Sequence, residues 1–325
     1  MYSFIPPPVK EFTEEEKEIL ELSSCTRIKV MTFNIKYDCR KMDGPELPWV
    51  LRYKGVKALL SEENPAIVCT QEALSNQVAT FVFNYVCIGE GRNGGTRSEW
   101  CAVLADKMQT ATGHNGTFWL SNTPHVPRTK VATSKYNRIA SWAFETMAAD
   151  PAARFLVVST HTCHASGEAR REQARILCEE VDEIWALEAG RSCPVVVCGD
   201  FNEGKVSRDG SPYPEYRILS EAGFRDAWRE AREARVYNGY GSSSCHHWNP
   251  KFEASDEGLS DSGFIDWVMW KDGMNSFFDC GINQHLVPMK AEILAKKYCD
   301  IYPSDHFPIA ITFASVPTLE PIALE

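Results

Sequence analysis

The stretch Val195-Val196-Val197-Cys198-Gly199-Asp200-Phe201-Asn202 constrains this chain more than any other. Three β-branched residues and a cysteine form an apolar run without polar alternation, which suits a strand covered on both faces of a layered α/β domain. Gly199 gives the backbone freedom to turn where that strand leaves its sheet. Beyond it, Asp200 and Asn202 stand two positions apart and, on an extended chain, share one side. An acid and an amide at one strand end can hold a water or a metal ion. The same pattern also occurs in ordinary strand-end turns, so the stretch alone leaves both readings open.

The rest of the chain repeats the theme. Arg27 to Ile35 alternates and reads as a first core strand ending at Asn34. Pro48 opens a helical pattern from Trp49 to Leu60. Pro65 to Thr70 is a second strand delivering Gln71-Glu72, and a helix is expected from Ala73 to about Phe83. Tyr85 to Ile88, Trp100 to Ala105 and the short Phe118 to Ser121 read as strands. Arg138 to Met147 alternates, and Arg154 to Thr160 delivers His161. Ser166 caps the longest helical pattern, Gly167 to Ala189, which Gly190 closes. A helix near Tyr213 to Ala222 and strands at Phe224 to Trp228, Phe264 to Trp270, Ser276 to Ile282 and His306 to Phe313 complete the pattern. Tyr237 to Ser262 is glycine- and serine-rich and reads as a long surface loop. The expected organisation is a polar lead-in over 1–25 with a short helix at Glu14 to Leu22, one domain over 26–315, and a proline-bearing tail over 316–325.

Composition narrows the setting. No apolar stretch approaches the roughly 20 residues needed to span a bilayer. The first 29 residues, with Pro6-Pro7-Pro8 and Glu14-Glu15-Glu16, lack the layout of a secretion signal, so a cytoplasmic location is expected. Twelve cysteines are scattered without a CxxC pair, and Cys69, Cys101 and Cys198 sit in apolar strands. That fits reduced, buried thiols better than a disulfide framework. A net charge of −10 argues against general affinity for nucleic-acid backbone but leaves room for a locally basic cleft.

Strand ends on one edge of a layered α/β fold converge on a common cleft. Here they carry Asn34, Gln71-Glu72, His161, Asp200-x-Asn202 and Ser304-Asp305-His306. Oxygen ligands from Asn34 and Glu72 suit Mg²⁺, which keeps several waters and takes few protein ligands. Two histidines at the same edge can stabilise charge growing on a phosphoryl group.

Taken together, Thr32-Phe33-Asn34-Ile35, Gln71-Glu72, Thr160-His161, Gly199-Asp200-Phe201-Asn202, Ile265-Asp266-Trp267 and Ser304-Asp305-His306-Phe307-Pro308 resemble the endonuclease/exonuclease/phosphatase superfamily of DNase-I-like fold, with the blocks in order from Thr32 to Pro308. Trp49-x-x-Arg52, Phe118-Trp119-Leu120-Ser121 and Arg170 to Gln173 resemble its bacterial-type branch. The resemblance implies a four-layer α/β sandwich of two packed mixed β-sheets flanked by helices, and Mg²⁺- or Mn²⁺-dependent hydrolysis of a phosphate ester. It makes Glu72 the principal metal ligand with Asn34 beside it and Asp305 joining or supporting the metal shell. Asp200 activates the attacking water, Asn202 positions water and phosphate, and His161 and His306 donate to phosphate oxygens. Asp266 fixes the tautomer of His306. Arg138 and, more weakly, Tyr136 are candidates for phosphate contact.

Two places depart from the pattern. Thr162-Cys163-His164 stands where relatives often carry a leucine followed by an Asp-His pair. His164 either lines the cleft, and so joins the substrate-contact candidates, or packs, which is the preferred reading. Cys245-His246-His247 beside Trp248 looks metal-like but has no partner cysteines at zinc-finger spacing, so a substrate-facing loop is expected. Trp49, Trp100 and Trp248 could stack on a base or sugar but suit packing better. The substrate expected is a small or single-stranded nucleotide-type phosphate mono- or diester. A DNA or RNA nuclease is the runner-up, a short or single-stranded nucleic acid being its partner, and a catalytically silent binding adaptor is the alternative of another class.

Overall fold

The computed structural model describes residues 25–39, 47–187, 191–207, 210–236, 264–273 and 284–317. These residues form two mixed sheets. The seven-stranded sheet contains β1 (Thr26–Asn34), β2 (Ile67–Gln71), β3 (Tyr85–Ile88), β4 (Val103–Asp106), β10 (Glu233–Val236), β12 (Gln284–Ile293) and β13 (Ile309–Pro317), in the order β10-β12-β13-β1-β2-β4-β3. The six-stranded sheet runs β5-β6-β7-β8-β11-β9, with β5 Thr110–Trp119, β6 Ile139–Met147, β7 Asp150–His161, β8 Val195–Asp200, β9 Arg225–Asp226 and β11 Asp266–Lys271. β1 runs parallel to β2, and β7 parallel to β8. Helices α1 (Trp49–Glu63) and α3 (Gly167–Trp185) are the long ones, joined by α2 (Ser75–Val78), α4 (Pro214–Glu221) and α5 (Ala227–Glu230). This is the expected sandwich of two packed mixed sheets flanked by helices.

Side-chain alternation decides what each layer receives. From β1, Ile28 and Val30 join Ile67, Cys69, Val103 and Ala105 in the core that also holds Val157, Val196 and Cys198. The alternate residues Met31, Phe33 and Ile35 pack with Val56, Leu59 and Leu60 of α1 in a second cluster. The sheets therefore meet face to face, β1 against β8 and β11, and β2 against β7. Truncating a fully buried residue of this core, such as Phe144→Ala, would cost about 3–5 kcal/mol.

The same parity positions the chemistry. Asn34 shares the inner face with Ile28 and Val30, and Asp200 shares one with Cys198 and Val196. Register does the rest: His161 pairs with Asp200 across β7 and β8, and Asp266 pairs with Asp200 across β11 and β8. Three side chains thus stand abreast at one end of the six-stranded sheet, facing Asn34, which pairs with Gln71 in the other.

Several elements differ from the sequence reading. The helix expected from Ala73 to Phe83 shrinks to α2, and turns follow it. The strand expected at Phe224 to Trp228 stops after two residues, because Asp226 accepts from Trp228 N and starts α5 instead. β5 begins at Thr110, eight residues before the expected Phe118, on polar residues that hide its pattern. The last strand runs on to Pro317. The expected elements at Glu14 to Leu22 and Ser276 to Ile282, the Tyr237 to Ser262 loop with Cys245, His246, His247 and Trp248, and Gly190 lie outside the described residues. Every cysteine among the described residues is free, as expected. Among those residues, no helix is long and apolar enough to cross a membrane.

Gly199 does not serve as a turn. It lies inside β8, and a Cβ there would meet Thr160 O at 2.4 Å, so glycine is required for the close approach of β7. The turn comes at Asn202, whose φ is +53°.

Candidate functional site

Asn34 is the centre of the cluster. Its Nδ2 donates to Glu72 Oε1 at 3.1 Å and to Asp200 Oδ2 at 3.0 Å, and lies 3.5 Å from His306 Nε2. One amide therefore joins both sheets. Asp200 Oδ2 is also 3.5 Å from His161 Nε2 and 3.9 Å from His306 Nε2. Its Oδ1 accepts from Asn202 N at 2.9 Å. His306 Nδ1 meets Asp266 Oδ2 at 2.8 Å, which points Nε2 toward Asp200. Asp200, Asp266 and His306 offer ligand atoms within 4.8 Å of one another, a group able to hold a metal.

The strand ends are shaped by left-handed backbone. Lys36 (φ +55°), Glu72 (φ +59°) and Asn202 (φ +53°) each follow a strand that delivers a site residue. Asparagine tolerates this region, whereas lysine and glutamate there cost roughly 1–2 kcal/mol each, strain that the surrounding bonds must hold. Arg52 of α1, fully buried, supplies such bonds. It donates to Ile35 O at 2.5 Å, Lys36 O at 2.8 Å and Pro303 O at 2.9 Å, tying the end of β1 to the segment before His306. Ser304 Oγ adds a 2.6 Å bond to Asn34 O and accepts from His306 N. On the other sheet, Gln173 of α3 accepts from Cys163 N at 2.8 Å, and Arg170 donates to Cys163 O at 3.1 Å while pairing with Glu203.

The buried charges are strongly perturbed. Burial pushes the Asp200 carboxyl up, as does the charge of Asp266; His306 and the bonds from Asn202 and Asn34 oppose the rise. For His306, burial acts downward, but Asp266 overrides it and the imidazole is pushed up to about 10, so it is a cation at neutral pH. His161 goes the other way: burial, then the charges of Arg138, Arg92, His306 and His164, hold it well below the usual range. One histidine is thus a charged donor and its neighbour a neutral one.

The sequence-expected metal ligands lie together. Lys36 Nζ sits 3.2 Å from Asp305 Oδ2 and 3.9 Å from Glu72 Oε2, so these carboxylates already hold a cation between them. That donor set fits a hard divalent ion. Asn34 differs in detail: its Oδ1 accepts from Lys36 N at 3.0 Å while its Nδ2 faces the acids, which is what two carboxylates favour when a donor is all that separates them.

The rim gathers the substrate-contact candidates. Arg138, 4% exposed, has Nη2 3.0 Å from His164 Nδ1. Tyr136, 37% exposed, lies 5.8 Å from the His164 ring, with Arg92 and Lys135 over its face at 5.0 and 5.2 Å. His164 is exposed, against the expectation that it packs; it follows the strand end on a loop whose preceding residue, Cys163, is bonded to Arg170 and Gln173 of α3. Asn202 turns its Nδ2 to Thr162 O at 3.1 Å, since the chain has left extended geometry and no longer shares one side with Asp200. Trp49 is buried against Tyr53 and Phe81, a packing role. Sequence reasoning missed Lys36 and gave Ser304 and Arg52 no task; their nearness to Asn34 and His306, or their place in a quoted motif, was the available signal.

Residues 31–306 match the profile of the Endonuclease/Exonuclease/phosphatase family. Protein angel homolog 2 from Bos taurus is 25% identical over 195 residues, 56% of this chain and 32% of that protein, so the chain spans about a third of the length of this curated relative. An endonuclease/exonuclease/phosphatase from Bacteroides vulgatus superposes with a TM-score of 0.72 at 26% identity, covering 89% of this chain and 99% of that one. A mannosyl-6-phosphatase from Bacteroides thetaiotaomicron gives 0.70 at 23% identity, over 88% and 99% of the two chains. The catalytic domain of human Nocturnin, with a bound sulfate anion, gives 0.60 at 17% identity, over 89% and 95%. The last two likenesses are likenesses of fold.

Proposed function

The chain belongs to the endonuclease/exonuclease/phosphatase family, whose members hydrolyse phosphate esters, and on that premise we propose that it is a divalent-metal-dependent phosphoesterase acting on a small or single-stranded nucleotide-type substrate. The observation that carries the reading is the Asn34 amide bonded at once to Glu72 and Asp200, with His306 alongside. Glu72 and Asp305 would hold the ion, joined by Asn34 through its Oδ1, the oxygen that here accepts from Lys36 N. Mg²⁺ or Mn²⁺ there supplies neutralisation of phosphoryl charge. Asp200, its carboxyl raised toward neutrality by burial, takes the proton of the attacking water, and Asn202 N keeps that carboxylate aimed. His306, held by Asp266, donates as a cation to a phosphoryl oxygen, and neutral His161 donates beside it. Charge stabilisation and positioning of this kind are what phosphoryl transfer chiefly requires.

Support for the substrate class comes from the rim. Tyr136 and His164 form an aromatic platform flanked by Arg92, Lys135 and Arg138, suited to a planar base beside a phosphate. The sulfate bound to the Nocturnin domain supports a tetrahedral anion as ligand of this fold, and the mannosyl-6-phosphatase supports a phosphomonoester. A nuclease acting on DNA or RNA is the second reading, favoured by the same basic rim. A cytoplasmic setting belongs to the same proposal.

The test is hydrolysis of nucleotide monophosphates, short DNA and RNA, phosphoinositides, a sugar 6-phosphate and a generic diester, with and without Mg²⁺ or Mn²⁺, using Asp200→Ala as control. Metal-dependent turnover of a nucleotide that vanishes in the variant supports the proposal. Turnover confined to another class removes the substrate assignment, and no turnover at all removes the reaction.

A further inference from the structure

Away from the strand-end cluster, a second group of side chains has the donor chemistry of a metal site. His125, Glu180 and Glu183 bring an imidazole nitrogen and two carboxylate oxygens within 4.8 Å of one another. Glu180 and Glu183 stand three apart on α3, so they project from one face of the helix. His125 comes from the loop between β5 and β6. That loop is well anchored: Val126 N donates to Thr123 O at 3.0 Å, Trp119 N to Pro124 O at 2.8 Å, and Ser121 Oγ lies 2.6 Å from Thr129 Oγ1.

Glu180 provides the independent observation. It is only 8% exposed, and its Oε2 has no hydrogen-bond partner although it faces His125 Nε2 at 3.4 Å. A buried carboxylate oxygen left without a bond is costly and calls for a partner. Burial pushes this carboxyl up; His125 opposes the rise, and Glu183 and Glu179 add to it. A cation set between the three side chains would satisfy the orphaned oxygen and remove the repulsion between the two acids.

We propose that His125, Glu180 and Glu183 form a transition-metal site, of Zn²⁺ type, that fastens the β5–β6 loop to α3. An imidazole with carboxylates suits Zn²⁺ better than Mg²⁺, which prefers an all-oxygen shell. Three protein ligands leave a fourth position for water, and the exposure of His125 and Glu183 keeps it open. The fastened loop leads into Tyr136 and Arg138, and Thr133 already reaches Glu172 of α3 at 3.4 Å. The ion therefore steadies the rim of the cleft without entering it.

Equilibrium dialysis of the full chain against Zn²⁺ in excess Mg²⁺, which occupies the hard-oxygen site, tests this. His125→Ala and Glu180→Gln are each expected to hold one equivalent of Zn²⁺ fewer than the wild type, while Glu179→Gln holds the same number as the wild type. Zn²⁺ should also raise the Tm of the wild type and not that of His125→Ala. His125 is exposed, so its loss does not threaten folding. Equal stoichiometry in the wild type and His125→Ala, or no Zn²⁺ bound at all, overturns the proposal.

Discussion

Asp200 and Glu145 lie in the same sheet, on β8 and β6, with β7 between them. Both are shielded from water, and burial pushes both carboxyls up, Glu145 to about 7. Their company differs. Asp200 stands at a strand end and meets Asn34 from the opposite sheet, His161, His306 and Asn202 N. Glu145 stands mid-sheet and receives the Thr112 hydroxyl at 3.0 and 3.2 Å. A raised carboxyl alone therefore does not mark a site. Convergence of strand ends from two sheets does, because it adds donors and bases to the acid.

The contrast is broken most sharply by removing one charge at a time. Asp200→Asn should lower kcat by about 10³-fold or more, since it removes the proposed base, while Glu145→Gln should leave steady-state turnover within about twofold of the wild type. Comparable losses in both would mean that the strand-end position carries no special chemistry.

Glu145→Gln should instead appear in stability. The folded carboxyl, near 7, lies above its unfolded value of 4.5, so the folded chain holds more protons between those values and stability falls as pH rises from about 4.5 to about 7. Above that window the penalty is constant, on the order of 3 kcal/mol. Urea unfolding at pH 5 and pH 8.5 should show a steeper decline in the wild type than in Glu145→Gln. Parallel declines would show that Glu145 ionises freely.

Asp266→Asn tests the positioning of a donor by a second residue. With the 2.8 Å bond to His306 weakened, kcat should fall about 10- to 100-fold with little change in KM. An unchanged kcat would remove Asp266 from the machinery. The smallest effect is expected at Lys36, whose ammonium lies between Asp305 and Glu72. Lys36→Met should lower the Mg²⁺ concentration for half-maximal activity a few-fold, because a competing cation is gone. A higher requirement would show that Lys36 assists the ion.

Much of the site was legible in order along the chain. β-branched runs ending in Asn34, Glu72, His161 and Asp200 announced strands with polar residues at their ends, because buried strands tolerate polar residues only where they leave the core. The element boundaries at α2, β5 and β9 were not legible, since local capping by Asp226 and packing of polar strand positions override propensity.

The sequence by itself determined a layered α/β domain with polar residues at its strand ends, because apolar periodicity is a local property, and the resemblance carried by its ordered motifs implied the two-sheet sandwich. Only the tertiary structure decided that Gly199 serves close packing against Thr160, that His161 is neutral while His306 is charged, and that Lys36 sits between the acids. Those outcomes depend on distances between strands far apart in sequence, and electrostatics and steric contact are set by distance in space.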